Sequence, residues 1–476
     1  MKQKIHLLLT IAVFTVLGQI TQAAVPNQIN YQGRLTDAGG NATTGNFAMS
    51  VRLYDAPTGG NIIYQETIGS VGVTKGVYSF QFGASGNGII SVLTGQDYLS
   101  LTIDGTEQSS RTRILTVPYS MKSADSQQVA TDLAELKNTL IRLGIKGNYA
   151  IPVVVTTLAG SGTLGSTDAI GAAASFNYSS GIAVDSIGNI YVADCYNNKI
   201  RKITGAGEVT TLAGSGIAGS ADGLGIAASF NNPSGVAVDG NGNVYVADSY
   251  NNKIRKITAT GEVTTLAGSG APGTANGTGT AASFNGPSGV AADQNGTLYV
   301  ADTDNHKIRK ITASGVVTNI SGSGTSGSAD GTGTQASFYY PQGIAVDGTG
   351  TLYVADTDNQ KIRKIEPGGV VSTFAGSGSY GSRDGIGSLA SFNGPSGVAV
   401  DVNKNIYVAD AGNYKIRKIS PTGEVTTLAG CGVEGAIDGS GIEASFNYPE
   451  GIAVDINGKV YVADSYNNKI RKISPQ

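Results

Sequence analysis

"YVADSYNNKIRKI", Tyr245 to Ile257, decides the fold, because it returns letter for letter at Tyr461 to Ile473. Its aspartate recurs as Asp194, Asp248, Asp302, Asp356, Asp410 and Asp464, always 54 residues apart. The same interval links Phe176, Phe230, Phe284, Phe338, Phe392 and Phe446, and Arg201, Arg255, Arg309, Arg363, Arg417 and Arg471. A fixed period of this length means stacked or ring-arranged units, none able to bury its apolar face alone.

Each period holds four strand-like runs. In the second copy they are "SGVAVD" (Ser234 to Asp239), "NVYVAD" (Asn243 to Asp248), "NKIRKIT" (Asn252 to Thr258) and "EVTTLAG" (Glu262 to Gly268). Four antiparallel strands per repeat make a propeller blade. A lone fourth strand, "VVVTTLAG" (Val153 to Gly160), precedes the first repeat, and "KIRKISPQ" ends the last repeat without one. Lending the first strand to the last blade closes the ring and removes an open edge. Six blades follow from the count. The motifs "GxAVD", "xYVAD", "DxxNxKIRKI" and "VTTLAG" resemble those of NHL-repeat β-propellers, over all of residues 153–476.

Ahead of the repeats, residues 25–122 read as a small all-β, sandwich-like domain. "INYQGRLTD" (Ile29 to Asp37), "MSVRLYD" (Met49 to Asp55), "GVYSFQFG" (Gly76 to Gly83) and "YLSLTID" (Tyr98 to Asp104) alternate apolar and polar residues between turn formers. With "NYQGRL" and "VPYS" (Val117 to Ser120), the stretch resembles an N-terminal module of exported bacterial proteins. That resemblance implies a compartment rather than an activity. Residues 123–146 read as a helical linker. Val129, Leu133, Leu136, Leu140 and Leu143 are spaced four, three, four, three, an a/d seam. Two heptads are marginal alone. Both a docked spacer and a homo-oligomerising coiled coil over 126–144 fit. Residues 1–24 read as a signal peptide: Lys2 and Lys4 precede an apolar run too short to span a bilayer. An exported protein is expected, periplasmic, cell-surface or extracellular, with no membrane span after cleavage.

Composition removes some functions. Lys plus Arg is 32 against 35 Asp plus Glu, so no basic excess exists to neutralise a phosphate backbone, and no nucleic-acid partner is expected. Of two histidines, His6 falls in the signal and His306 in a loop, which leaves too few for a His-built zinc site. Cys195 and Cys431 have one blade between them, farther than a disulfide reaches, and are expected as free thiols.

Residues shared by all copies read as framework. Asp194, Asp248, Asp302, Asp356, Asp410 and Asp464, with Asn197, Asn251, Asn305, Asn359, Asn413 and Asn467 three residues on, suit tight turns. The repeated Arg can meet a carboxylate, and the Phe is core. Differences gather in the loops after the second and fourth strands, which share one face. That face carries Tyr178, Tyr196, Tyr250, Tyr339, Tyr340, Tyr380, Tyr414, Tyr448 and Tyr466. Such rings either contact a protein or glycan partner or cover neighbouring loops. The candidate binding residues are Tyr196, Tyr250, Asp304, His306, Asp358, Tyr414 and Tyr466.

Catalysis is the competing class. The overall resemblance extends to gluconolactonase-type propellers, which implies a divalent metal held at the ring centre by residues from different blades. The innermost strands here read "GIAVD", "GVAVD", "GVAAD", "GIAVD", "GVAVD" and "GIAVD". On that reading no blade supplies a distinct ligand, and Asp185, Asp239, Asp293, Asp347, Asp401 and Asp455 form the one acidic ring. "DGNGN" (Asp239 to Asn243), "DINGK" (Asp455 to Lys459) and "ADGTG" (Ala329 to Gly333) have the oxygen-rich look of calcium loops but lack full EF-hand spacing. Non-catalytic binding or scaffolding is the expected work, with a metal-dependent lactonase as the alternative and a plain cell-surface spacer as the third. No cofactor is expected, calcium being the one candidate.

Overall fold

The computed structural model describes residues 153–475 and, ahead of them, segments 7–9, 29–35, 44–54, 62–73, 77–82, 98–103, 106–107 and 112–113. The helix expected over 123–146 lies outside these residues, as does most of the signal expected over 1–24. The chain divides into two compact units, Met1–Ile145 and Lys146–Gln476. No helix among the described residues is long and apolar enough to cross a membrane.

In the first unit, Ile29–Leu35 pairs antiparallel with Val77–Phe82 on one side and with Leu7–Leu9, inside the expected signal, on the other. A second sheet runs Ile62–Val73, Gly45–Tyr54, Tyr98–Ile103, Thr106–Glu107. Four of these strands match the alternating runs read from the sequence. Ile62–Val73 was not among them: its glycines at 69 and 72 break the apolar rhythm.

The second unit is a β-propeller, whose described residues form six antiparallel sheets. In the second sheet the order from the axis outward is Pro233–Val238, Val244–Asp248, Lys253–Ile257, Glu262–Ala267 and a two-residue strand, Gly223–Leu224. The short outer strand occurs in five sheets. In the first, the single bridge Ile170–Glu208 takes its place. The sixth sheet takes its fourth strand from the start of the unit: Val153–Ala159 pairs with Lys469–Pro475, Ile473 opposite Val155. The lone strand thus fills the gap its sequence implies.

Every residue of the "YVAD" strand is buried, from Val244 to Asp248 and in each counterpart. These strands lie inside their sheets with neighbouring sheets on both faces, so Ile254 on one face and Arg255 on the other are equally hidden. Tyr191, Ala193 and Ile200 of one sheet pack with Phe230, Val244 and Val246 of the next, and this apolar contact between sheets repeats around the ring. At the axis the sheets meet through glycine. A Cβ on Gly181 would collide with the carbonyl of Ser234, one on Gly235 with Ser288, and so on to Gly451, which meets Ser180. The innermost strands therefore close in cyclic order, and only glycine lets backbones approach so closely.

Candidate functional site

The repeated polar residues form one network per sheet. Asp248 Oδ1 accepts the Asn231 N–H at 2.8 Å, while Oδ2 accepts Asn251 Nδ2 at 2.9 Å and Arg255 at 2.7 Å. Arg255 also donates to the carbonyls of Ser229 and Ala221 and to Asp222 at 2.6 Å, with its guanidinium 5.3 Å from the Phe230 ring centre. All six central Arg–Asp pairs span 2.6–2.7 Å with both side chains fully buried. The outer carboxylate is Asp168, Asp222, Asp330, Asp384 or Asp438, and in the third repeat it is replaced by Asn276. The network ties the second and third strands to the long loop behind them. Burial pushes the carboxyls of Asp194, Asp248, Asp302, Asp356, Asp410 and Asp464 upward, against the hydrogen bonds that favour their charge. Partial burial opposes ionisation of Asp222 and Asp330 too, yet hydrogen bonds from Arg and Thr hold both below the usual carboxylate range.

On the opposite face, the oxygen-rich turns spend their carboxylates on themselves. Asp239 Oδ1 accepts the N–H groups of Asn241 and Asn243, and Oδ2 accepts Asn243 Nδ2 and the Tyr245 hydroxyl. Asp330 of "ADGTG" pairs with Arg363. The Asp239 bonds are those of an Asx turn, whereas Asp330 belongs to the Arg network of the long loop.

The loop face is built from two repeated left-handed positions. One ends the turn after the second strand: Asn198, Asn252, His306, Gln360, Tyr414 and Asn468, with φ of 50° to 56°. The other opens the innermost strand: Tyr178, Asn232, Gly286, Tyr340, Gly394 and Tyr448, with φ of 47° to 58°. They latch sheet to sheet. Asn198 Oδ1 accepts the Asn232 N–H, Asn252 that of Gly286, His306 Nδ1 that of Tyr340, Gln360 that of Gly394, and Asn468 that of Tyr178. At the remaining seam Tyr414 sets its ring edge-on to Tyr448, centroids 5.4 Å apart.

That substitution belongs to a larger cluster. Tyr196 stacks on Tyr178 at 4.6 Å, Tyr178 meets Tyr466 at 4.6 Å, Tyr466 meets Tyr448 at 4.7 Å, and Tyr448 meets Tyr414. Five rings run unbroken across the fifth, sixth and first sheets, over the seam where the ring closes. Tyr196, Tyr466 and Tyr448 remain 57%, 46% and 39% exposed. A bulky residue at positive φ is uncommon and strained. Tyr178, Tyr340 and Tyr448 accept that strain where the other repeats use Asn232, Gly286 and Gly394, and Tyr414 accepts it at the other left-handed position.

The structure therefore joins Tyr196, Tyr414 and Tyr466 through Tyr178 and Tyr448, which the candidate set left out. Their signal was legible as tyrosines at a left-handed position that Asn or Gly fills in three other repeats, a signal they share with Tyr340. His306 and the exposed Asp304 and Asp358 lie apart from this arc, His306 against Tyr339 and Tyr340 at 5.9 and 5.0 Å. Burial raises both carboxyls, with the nearby His306 opposing. Tyr250 is 69% exposed and has no ring partner among the described residues.

The axis corrects one expectation. From "GIAVD" onward the innermost strands look alike, but they begin two residues earlier. The residue before each glycine lines the central channel: Ser180, Ser234, Ser288, Gln342, Ser396 and Glu450. Two blades thus do supply distinct side chains, Gln342 and Glu450. Compared only from their glycine onward, these strands omit both. Cys195 is buried and Cys431 exposed, both free. Burial, with the charges of Glu450 and Asp194, pushes the Cys195 thiol well up.

A ring of sheets with a shared Asp–Asn–Arg framework and a variable loop face defines a repeat propeller. Residues 176–203, 230–257, 284–311, 392–419 and 446–473 match the NHL repeat, and residues 324–387 match the teneurin NHL domain. The chain is an NHL-repeat propeller protein. Residues 30–113 match a domain of unknown function (DUF8740). The chain is 35% identical over 148 residues to the protein SUPPRESSOR OF QUENCHING 1, chloroplastic, of Arabidopsis thaliana, covering 29% of this chain and 14% of that one. It is 34% identical over 152 residues to NHL repeat-containing protein 2 of Homo sapiens, covering 29% and 21%. The chain thus spans about a fifth or less of these relatives. Among solved structures, a Bacteroides thetaiotaomicron protein of unknown function is 20% identical, with TM-score 0.54 and coverage of 94% and 96%. An auxiliary nutrient binding protein from the same organism is 16% identical, with TM-score 0.53 and coverage of 94% of each chain. At such identity the likeness shows the fold.

Proposed function

We propose that this chain is an exported, non-catalytic binding protein that takes a protein or glycan partner on the loop face of its propeller. The observation that carries this is the five-tyrosine arc, Tyr196–Tyr178–Tyr466–Tyr448–Tyr414, in which Tyr178, Tyr448 and Tyr414 hold left-handed backbone positions. Exposed Tyr supplies large, rigid contact area at low entropic cost, and the surrounding loops are rich in Ser, Gly and Asn, the composition of adaptable binding loops. Export rests on the N-terminal Lys2, Lys4 and the apolar run that follows. The nutrient-binding neighbour is consistent with a binding role.

The test compares three full-length proteins on protein and glycan arrays: wild type, a Tyr448→Asn/Tyr466→Ser/Tyr196→Ser variant, and a control changed on the opposite turns, Asn241→Ala/Asn457→Ala. Ligands held by wild type and control but lost by the arc variant support the proposal. Ligands held equally by the arc variant and lost by the control would move the binding site to the other face.

A further inference from the structure

The channel poses a separate problem. Glu450 is the one ionisable side chain in its lining, and no Lys or Arg among the described residues pairs with it. Burial raises its carboxyl, and the Ser180 hydroxyl across the closing seam opposes that rise by favouring the charge. Glu450 is half-buried, and a carboxylate so placed without a counter-charge is costly; it takes up a proton or a cation. The serines cannot supply that charge, and most are already engaged. Ser234 Oγ bonds the Ser288 carbonyl, Ser288 Oγ the Gln342 carbonyl and Ser396 Oγ the Glu450 carbonyl. Those hydroxyls turn into the seams and leave carbon walls, with two polar heads between them, the Glu450 carboxyl and the Gln342 amide.

We propose that the loop-face end of the channel, at Glu450 and Gln342, binds a small organic ammonium ion. The ammonium would donate to the carboxylate and to the Gln342 amide oxygen, with its carbons against the methylene walls. The cavity measures about 80 Å³, and a water needs roughly 10–15 Å³ of such space, so a one- to few-carbon amine fits. A divalent metal is the poorer match. Calcium needs six or more oxygen ligands, and no cluster of three His, Cys, Asp or Glu exists among the described residues. This site is distinct from the tyrosine arc, so either can fail without the other.

The probe is methylammonium chloride, titrated into the full chain at pH 8 and followed by thermal melting against equal potassium chloride. Glu450→Ser copies four other repeats and keeps the ring's own chemistry. Methylammonium is expected to raise the melting temperature of wild type and not of Glu450→Ser, with at least tenfold weaker binding in the variant. Gln342→Ser is expected to weaken binding less. The groups facing Glu450 are Ser180, Tyr178 and Cys195, the last two neutral at this pH. Binding is therefore expected to fade as pH drops and Glu450 gains its proton. An equal shift with potassium or calcium, an equal shift in Glu450→Ser, or no shift with methylammonium would overturn the proposal. If Glu450→Ser does not fold, the loss of the wild-type shift at low pH carries the same test.

Discussion

Arg255→Ala removes one guanidinium from the second sheet and leaves its neighbours intact. Asp248 would stay fully buried with no counter-charge, and the carbonyls of Ser229 and Ala221 would lose a donor. Breaking a buried ion pair from one side costs about 3–5 kcal/mol. That is a large share of the roughly 5–15 kcal/mol that holds a typical domain. The outer arm of the same network is worth far less. Asp222 is 48% exposed, and the third repeat works with Asn276 in its place, so Asp222→Asn should cost no more than about 1 kcal/mol. Urea denaturation of the full chain, followed by far-ultraviolet circular dichroism, reads both. Combining Arg255→Met with Asp248→Asn should cost less than the two changes summed, because either one already breaks the network. The Arg255→Ala deficit should widen as pH rises, since a stranded Asp248 must surrender its proton without a partner. A loss below about 1 kcal/mol for Arg255→Ala, no larger than for Asp222→Asn, would refute the claim that these pairs hold each sheet to its loop.

Three further outcomes follow. Asp222 is held below its usual range in the fold, so its contribution is present above the unfolded pKa and vanishes as pH falls through the folded one. The stability gap between wild type and Asp222→Asn should therefore close below about pH 4, and a gap that widens there would contradict the pairing. With Ellman's reagent the native protein should show one fast thiol, Cys431, while buried Cys195 reacts only on unfolding; two fast thiols would contradict the burial. Tyr448→Asn should alter stability by less than about 1 kcal/mol, because release of backbone strain offsets lost ring contacts, while partner binding falls at least tenfold.

The fold was legible because six copies write the same strands and the spare strand at Val153 announces ring closure. The framework Asp and Asn were legible for the same reason. The repeated Arg was legible as a partner for a carboxylate, but its complete burial was not. Only the arrival of a second sheet on its face buries it, and this is tertiary information. Gln342 and Glu450 were hidden by a boundary. The strands were compared from their glycine onward, and the residue just before it, on the same innermost strand, is the one that faces the axis. The tyrosine arc is assembled by closure itself, since Tyr178 and Tyr466 stand nearly a whole propeller apart in sequence and 4.6 Å apart in space.

The most direct test of the central claim is tyrosine footprinting of the full chain, free and bound to a ligand recovered on the arrays. Tyr339 and Tyr340, 38% and 39% exposed, are matched controls for Tyr448 at 39%. The account predicts that iodination of Tyr196, Tyr466 and Tyr448 drops on binding while Tyr339 and Tyr340 react as before. Unchanged labelling of the arc in a complex that has formed would contradict it.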